Sequence, residues 1–322
     1  MIPIRNTIRS KNYPVVNTAI IALNVLFFII ELAQGEGFNR FIYTYGLVPA
    51  KYTVPAISAY FTPGQQIISF VSFMFLHGGF FHLLGNMWSL YIFGDNVEDR
   101  LGPLRYLLFY LLCGLASGFS HLLINYHSKI PTIGASGAIA GVMGAYMILY
   151  PKSKILTLIP MFFFFPLVEI PAVFFLGIWF IFQFLSAAST AGQGGIAWWA
   201  HIGGFIFGII FLKMFLSFKE RPVGRKIRQI TKKKRSERIQ VIRPVSFGKD
   251  PDMYGNISIT KREAIFGARK LVNLPEGFKK RMFMLNIPPG TSEGCKLRLP
   301  GLGRQLNGER RGDFYLKIKV ED

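Results

Sequence analysis

Apolar residues run in long unbroken stretches over the first two thirds of the chain and then give way to short alternating segments. Runs long enough to cross a hydrocarbon layer as helices fall at about residues 14–33, 80–95, 104–123, 136–150, 170–187 and 197–216. They predict six membrane-spanning helices. The fourth run is short, and the apolar but proline-broken piece at 161–166 leaves room for an extra re-entrant segment. Beyond Pro244 the period changes. Phe314, Leu316, Ile318 and Val320 alternate with Tyr315, Lys317 and Lys319, and Phe283, Leu285 and Ile287 alternate likewise, as half-buried strands do. The sequences PPG at 288–290 and PGLG at 300–303 punctuate them as turns. The expected fold is an all-α polytopic membrane bundle (residues 1–218), a polybasic linker (219–246) and a small all-β sandwich (247–322).

Composition sharpens the class. Of 322 residues, 51% are hydrophobic and only 17% charged, which excludes disorder and is too apolar for an ordinary soluble domain. Cys113 and Cys295 stand far apart, without a CxxC pair or a histidine at ligand spacing. Neither a disulfide scaffold nor a structural zinc is expected, and no metal or other cofactor.

The net charge of +20 is concentrated at one end: residues 219–322 hold 26 of the 37 Lys and Arg against 11 of the 17 Asp and Glu. No zinc-finger or RNP-type motif accompanies this charge, so nucleic acid is not an expected partner. Beside apolar spans, a basic tail marks the cytoplasmic side. The N-terminus with Arg5, Arg9 and Lys11, the turn at 98–105, the Lys152/Lys154 turn and the tail alternate with connections poorer in Lys and Arg, although Arg40, Lys51 and Lys129 depart from the pattern. Both termini are then cytoplasmic, and spans two, four and six enter from the far side. The first span is too long for a cleaved signal peptide, carries Glu31 near its end and lacks a small-x-small cleavage site. The run 219–243 has 11 Lys/Arg against 2 Glu; it reads as a solvated, topology-setting linker or as a binder of anionic lipid headgroups.

Three polar constellations share one depth under this topology. His82 and Asn86, four residues apart, point from one face at the start of span two. Span four opens with Gly134-Ala135-Ser136-Gly137, a serine between glycines at a helix N-terminus, where unpaired N–H groups suit a developing oxyanion. Span six opens with His201, followed by Gly204 and Gly208 on the same stripe. Each has a packing reading: polar side chains in membrane bundles hydrogen-bond neighbouring helices, and Gly137, Gly141 and Ala145 repeat at small-xxx-small spacing. If spans four and six are neighbours, Ser136 and His201 meet as nucleophile and general base. No carboxylate lies at a depth suited to orient His201.

These residues resemble the rhomboid family of intramembrane serine proteases. His82-x-x-x-Asn86, Gly134-x-Ser136-Gly137, Ala200-His201-x-x-Gly204-x-x-x-Gly208 and Gly94-x-x-x-Glu98-x-x-x-Gly102 occur in the family's order, and the resemblance covers about residues 10–218. It implies a six-helix bundle cleaving peptide bonds in or near transmembrane segments, with Ser136 as nucleophile, His201 as base and acid, and His82 and Asn86, beside Gly134 and the Ser136 N–H, binding the oxyanion. Glu98, Arg100, Gly137, Gly141, Gly204 and Gly208 would be structural. Two positions depart from the family pattern: Ala140 stands where many relatives carry an aromatic against the base, so the imidazole must be oriented from elsewhere, and the Trp-Arg pair of the first outer loop is missing, residues 35–68 lacking any Trp.

The C-terminal segment, about 253–322, is similar to the substrate-binding C-terminal domain of DnaJ (Hsp40) co-chaperones, through ISITKREAIFG (257–267), IPPGTSEGCKLRLPG (287–301) and GDFYLKIKV (312–320). The chain contains no His-Pro-Asp tripeptide and no CxxC repeats. The resemblance implies binding of unfolded, extended peptide segments by strand addition at 247–322; the alternative is an appendage without a working groove. Taken together, the expectation is a serine endopeptidase acting on transmembrane proteins in a bacterial cell (inner) membrane. Its alternative is a non-catalytic rhomboid-fold protein that binds transmembrane clients for quality control. A channel or transporter is disfavoured by the lack of a mid-membrane carboxylate or internal repeat.

Overall fold

The computed structural model describes residues 1–322 apart from 9, 161–162, 190–196, 219–221, 233–238, 243–244, 246–249, 277–278, 305–310 and 322. It divides into two units, Met1–Lys232 and Lys233–Asp322. The first holds the strands β1 (Ile2–Asn6), β2 (Lys154–Leu158) and β3 (Leu167–Pro171). Its helices are α1 (Val15–Leu32), α2 (Phe38–Tyr45), α3 (Ala50–Thr53), α4 (Pro55–Ser58), α5 (Pro63–Ser72), α6 (Phe80–Leu101), α7 (Pro103–Ile124), α8 (Ser136–Leu149), α9 (Ala172–Ser189), α10 (Trp198–Ser217) and α11 (Pro222–Ile230).

A helix occupies each of the six apolar runs. Among the described residues, four of them (α1, α7, α9 and α10) are long and apolar enough to cross a membrane alone, and the count reaches five if residues 63–75 and α6, bent by 75° between them, form one broken span rather than a re-entrant loop. The run at 136–150 forms a helix of only 14 residues, because α8 is central: every residue from Gly137 to Tyr146 is buried. A helix apolar on all sides belongs inside a bundle. The outer helices show the opposite exposure, with Leu26, Ile29, Leu123 and Phe182 more than half exposed. Such an outward apolar belt is a surface for lipid.

Polar contacts fix the helix ends. Pro14 gives α1 no side-chain cap; instead the Glu98 carboxylate, from α6, accepts the N–H groups of Val16 at 3.1 Å and Asn17 at 2.7 Å. Helix N-termini need such acceptors. Asn17 also donates to Leu90 O at 3.1 Å and accepts the Tyr106 hydroxyl at 2.7 Å. Asn17, Asn24 and Glu31, seven apart, are all buried, and Glu31 accepts the His77 N–H through both oxygens at 3.1 Å. This polar stripe turns one face of α1 inward. Gly102, at φ +84°, ends α6, and Pro103 starts α7 without a donor to lose.

Sequence pattern did not foretell the sheet β1-β2-β3, antiparallel throughout. Ile159 N–H donates to Pro166 O at 3.1 Å, so the apolar piece held open as a re-entrant segment lies in the β2–β3 connection. Residues 161 and 162 fall outside the described set, and Phe163 is fully exposed.

The loop after α1, which lacks the Trp-Arg pair, is held by Lys51. Its side chain is fully buried, its Nζ donates to Thr44 O at 3.0 Å and Gly46 O at 3.1 Å, and it lies 4.4 Å from the centroid of the Phe61 ring. Burial pushes the amine down from 10.5 to about 8. Between those values the unfolded chain binds more protons than the folded one, so stability rises with pH across that window. The expected result is a thermal midpoint in detergent that climbs from pH 8 to pH 10 more steeply in the wild type than in Lys51→Met; parallel curves would refute it.

The second unit is strand-rich. Its elements are β4 (Ile239–Val241), β5 (Met253–Thr260), α12 (Lys261–Phe266), β6 (Ala268–Glu276), β7 (Lys279–Ile287), β8 (Lys296–Leu299) and β9 (Phe314–Glu321). They form two three-stranded sheets, β4-β6-β7 and β5-β9-β8. Ile257, Ile259, Val272, Leu285, Ile287, Phe314, Leu316 and Ile318 share one core, which is the inward half of the alternation. Pairing of β5 with β9 is parallel, Met253 opposite Phe314 through Thr260 opposite Glu321. A Thr260/Glu263 capping box starts α12.

Candidate active site

Glycine contacts set the spacing from which the site is built. A Cβ on Gly204 of α10 would lie 2.0 Å from Gly137 O of α8, and one on Gly208 would lie 2.3 Å from Gly141 O. α7 reaches the same seam: a Cβ on Gly137 would meet Ser117 Oγ at 2.0 Å, and one on Gly141 would meet Cys113 Cβ at 2.6 Å. Backbone-to-backbone approach of this kind is open only to the smallest residues. It brings the N-terminal ends of α8 and α10 together.

Ser136 is the first residue of α8, and His201 stands in the first turn of α10. Their side chains meet, with His201 Nε2 2.7 Å from Ser136 Oγ. On its other edge, His201 Nδ1 lies 2.7 Å from Oε1 of Gln183 in α9. The imidazole is flanked by Trp179 at a centroid distance of 6.1 Å and by Trp198, perpendicular to it, at 6.2 Å. An imidazole nitrogen beside a serine hydroxyl is the arrangement that general-base activation of that oxygen requires.

His82 and Gly134 shape the space around Ser136. Gly134 has φ +125°, and a Cβ there would come within 2.8 Å of His82 Nε2 and 3.5 Å of Ser136 Oγ, so backbone angle and space both demand glycine. The Gly78 N–H donates to His82 Nδ1 at 3.3 Å. That contact puts the His82 proton on Nε2, the nitrogen facing Gly134. Asn86, one turn further along α6, is buried, and its Nδ2 has no hydrogen-bond partner among the described residues. The Ser136 N–H belongs to the first turn of α8, where no intrahelical acceptor exists. A helix N-terminus and a protonated imidazole nitrogen are donors of the kind that a developing oxyanion draws on.

The remaining sequence-derived residues lie apart from this group. Glu98 caps α1 as described, and Arg100 is exposed, its carbonyl accepting from Arg228 Nη2 at 3.0 Å. Sequence reasoning missed Gln183, Trp179 and the Glu31–His77 contact. One signal was available: Gln183 is the only polar side chain in the stretch 172–185, and a polar group in an apolar span is expensive unless it has a task.

In the second unit, a cleft is lined by Tyr254, Tyr315, Lys296 and Lys317, with the two tyrosine rings stacked at 5.6 Å. β7 ends its sheet and turns Met282 and Met284 outward, each 61% exposed.

A family model of the Rhomboid domain matches residues 64–218, and one of the DnaJ C terminal domain matches residues 212–322. Among curated proteins, the chain is 28% identical over 201 residues to Rhomboid protein 1, mitochondrial, of Saccharomyces cerevisiae, covering 60% of this chain and 51% of that protein. It is 28% identical over 187 residues to presenilin-associated rhomboid-like protein, mitochondrial, of Homo sapiens, covering 52% and 45%. Chaperone protein DnaJ 2 of Aquifex aeolicus is 36% identical over 74 residues, 23% of this chain and 19% of that protein. The chain thus spans about half the length of the rhomboid relatives it matches.

Proposed function

We propose that this chain, which carries a rhomboid domain over residues 64–218 and a DnaJ C-terminal domain over residues 212–322, is an intramembrane serine endopeptidase. It hydrolyses peptide bonds in or near transmembrane segments of other membrane proteins. The observation that carries this reading is the 2.7 Å contact between Ser136 Oγ and His201 Nε2. Ser136 Oγ attacks the scissile carbonyl while His201 Nε2 takes its proton. The oxyanion receives hydrogen bonds from the Ser136 N–H, His82 Nε2 and Asn86 Nδ2, and the imidazolium then protonates the leaving amine. Water, deprotonated by the same nitrogen, releases the acyl group from Ser136.

The rest of the molecule is assigned around that reaction. The six helices cross an inner bacterial membrane with both termini cytoplasmic, and the basic residues of 219–243 lie against anionic headgroups. Residues 247–322 form a sandwich that takes up extended, unfolded peptide beside β7, whose outward methionines suit apolar side chains.

The test is cleavage of a single-span reporter by the full chain in liposomes, together with labelling by a serine-reactive fluorophosphonate. Cleavage with labelling supports the endopeptidase. A folded chain that neither cuts nor labels overturns it in favour of a non-catalytic binder of transmembrane clients.

A further inference from the structure

We propose that Gln183 is the positioning residue of the Ser136–His201 pair, an inference that rests on the endopeptidase reading above. Gln183 is buried, 7% exposed, in an otherwise apolar part of α9, and its Oε1 lies 2.7 Å from His201 Nδ1. A serine–histidine pair works in only one tautomer. Nδ1 must carry the proton, so that the Nε2 lone pair faces the serine hydroxyl. An amide oxygen at Nδ1 selects that tautomer by accepting its hydrogen bond. It also holds the ring plane, a task that the methyl of Ala140 cannot perform.

The rest of the pocket agrees with this role. Trp179 precedes Gln183 by one helical turn and packs beside the same imidazole, and Trp198 closes the perpendicular side. Three side chains from α9 and α10 therefore leave the ring one orientation, with Nε2 toward Ser136. A neutral amide suits the depth: a carboxylate in this place would have to be buried ionised, at far higher cost. When His201 takes the serine proton, its Nδ1–H keeps Gln183 Oε1 as partner, so the charged ring is not stranded.

Two variants test the assignment in the full chain in liposomes. Gln183→Leu removes the acceptor but keeps an apolar helix face. It is expected to lower kcat and the fluorophosphonate labelling rate together by about 10- to 100-fold, with KM within about twofold, as loss of tautomer control does. Gln183→Glu keeps an acceptor at the same reach. It is expected to remain within about tenfold of wild type and to move the acid limb of the pH–rate profile to higher pH, because a carboxylate favours the imidazolium. A purely structural glutamine would lower the thermal midpoint in Gln183→Leu without the matched fall in kcat and labelling, and would leave the acid limb in place in Gln183→Glu. Gln183→Leu with wild-type kcat and labelling overturns the positioning role alone; a wild type silent in both assays overturns the endopeptidase reading and this inference with it.

Discussion

On the endopeptidase reading, Ser136→Ala and His201→Ala are each expected to reduce reporter cleavage by about 10⁴-fold or more, with the double variant no worse than either single one. On that reading the 2.7 Å contact joins the two side chains into one functional unit: without the imidazole the hydroxyl would keep its proton, and without the hydroxyl the base would have nothing to activate. A loss of that size corresponds to about 5.5 kcal/mol of transition-state stabilisation. Folding should register Ser136→Ala little, since the pair's hydrogen bond is worth only about 1 kcal/mol, and His201→Ala by about 1–3 kcal/mol, since it also leaves the buried Gln183 oxygen unpaired. Thermal midpoints within a few degrees of wild type, with fluorophosphonate labelling lost in both, are therefore part of the expected result. His201→Ala retaining more than a tenth of wild-type cleavage would remove the histidine from the chemistry.

What the sequence made legible follows from where each signal comes from. Apolar runs expose helices directly, and the register of His82 with Asn86, or of His201 with Gly204 and Gly208, is a property of one helix read by itself. Alternation in 314–320 likewise announces an edge-on view of a single strand. Pairings between distant segments leave no such trace. Nothing in residues 2–6 indicates that they will pair with 154–158, and nothing in 253–260 indicates a parallel partner at 314–321.

Gln183 shows the same limit at the site. Its place as the lone polar side chain of 172–185 marks it in the sequence, but only the packing of α9 against α10 gives its oxygen a partner. An orienter for His201 need not be a carboxylate, because the membrane's low dielectric favours a neutral group. Asn17, Asn24 and Glu31 were more readable: polar groups spaced seven residues apart in an apolar span fall on one helix face, and that face must turn inward to be satisfied. The length of α8 was legible as a short run, yet its meaning, a helix shielded on every side, comes only from its neighbours.

Gly204→Ala carries the second large effect, because the same contact sets both the packing and the chemistry. Its Cβ would stand 2.0 Å from Gly137 O, where a carbon and a carbonyl oxygen normally approach to about 3.3 Å. The obstacle is backbone, which cannot swing aside. Nor has α8 room to retreat, since every residue from Gly137 to Tyr146 is already buried among its neighbours. The movement must come from α10, by about 1 Å or more, and it carries His201, three residues earlier on the same face, away from Ser136. Overpacking of this kind costs about 1–3 kcal/mol, and a displacement of about 1 Å at the reacting groups costs about 10²-fold in rate. The expected outcome is a lowered thermal midpoint together with cleavage and labelling reduced by about 10²-fold. Gly177→Ala, on α9 with nothing beyond its own helical turn within 4 Å of the new methyl, should leave both readouts at wild-type values. Cleavage by Gly204→Ala within threefold of wild type would mean that α8 and α10 can part without parting Ser136 from His201, and the glycine stripe would then be a packing device with no hold on the chemistry.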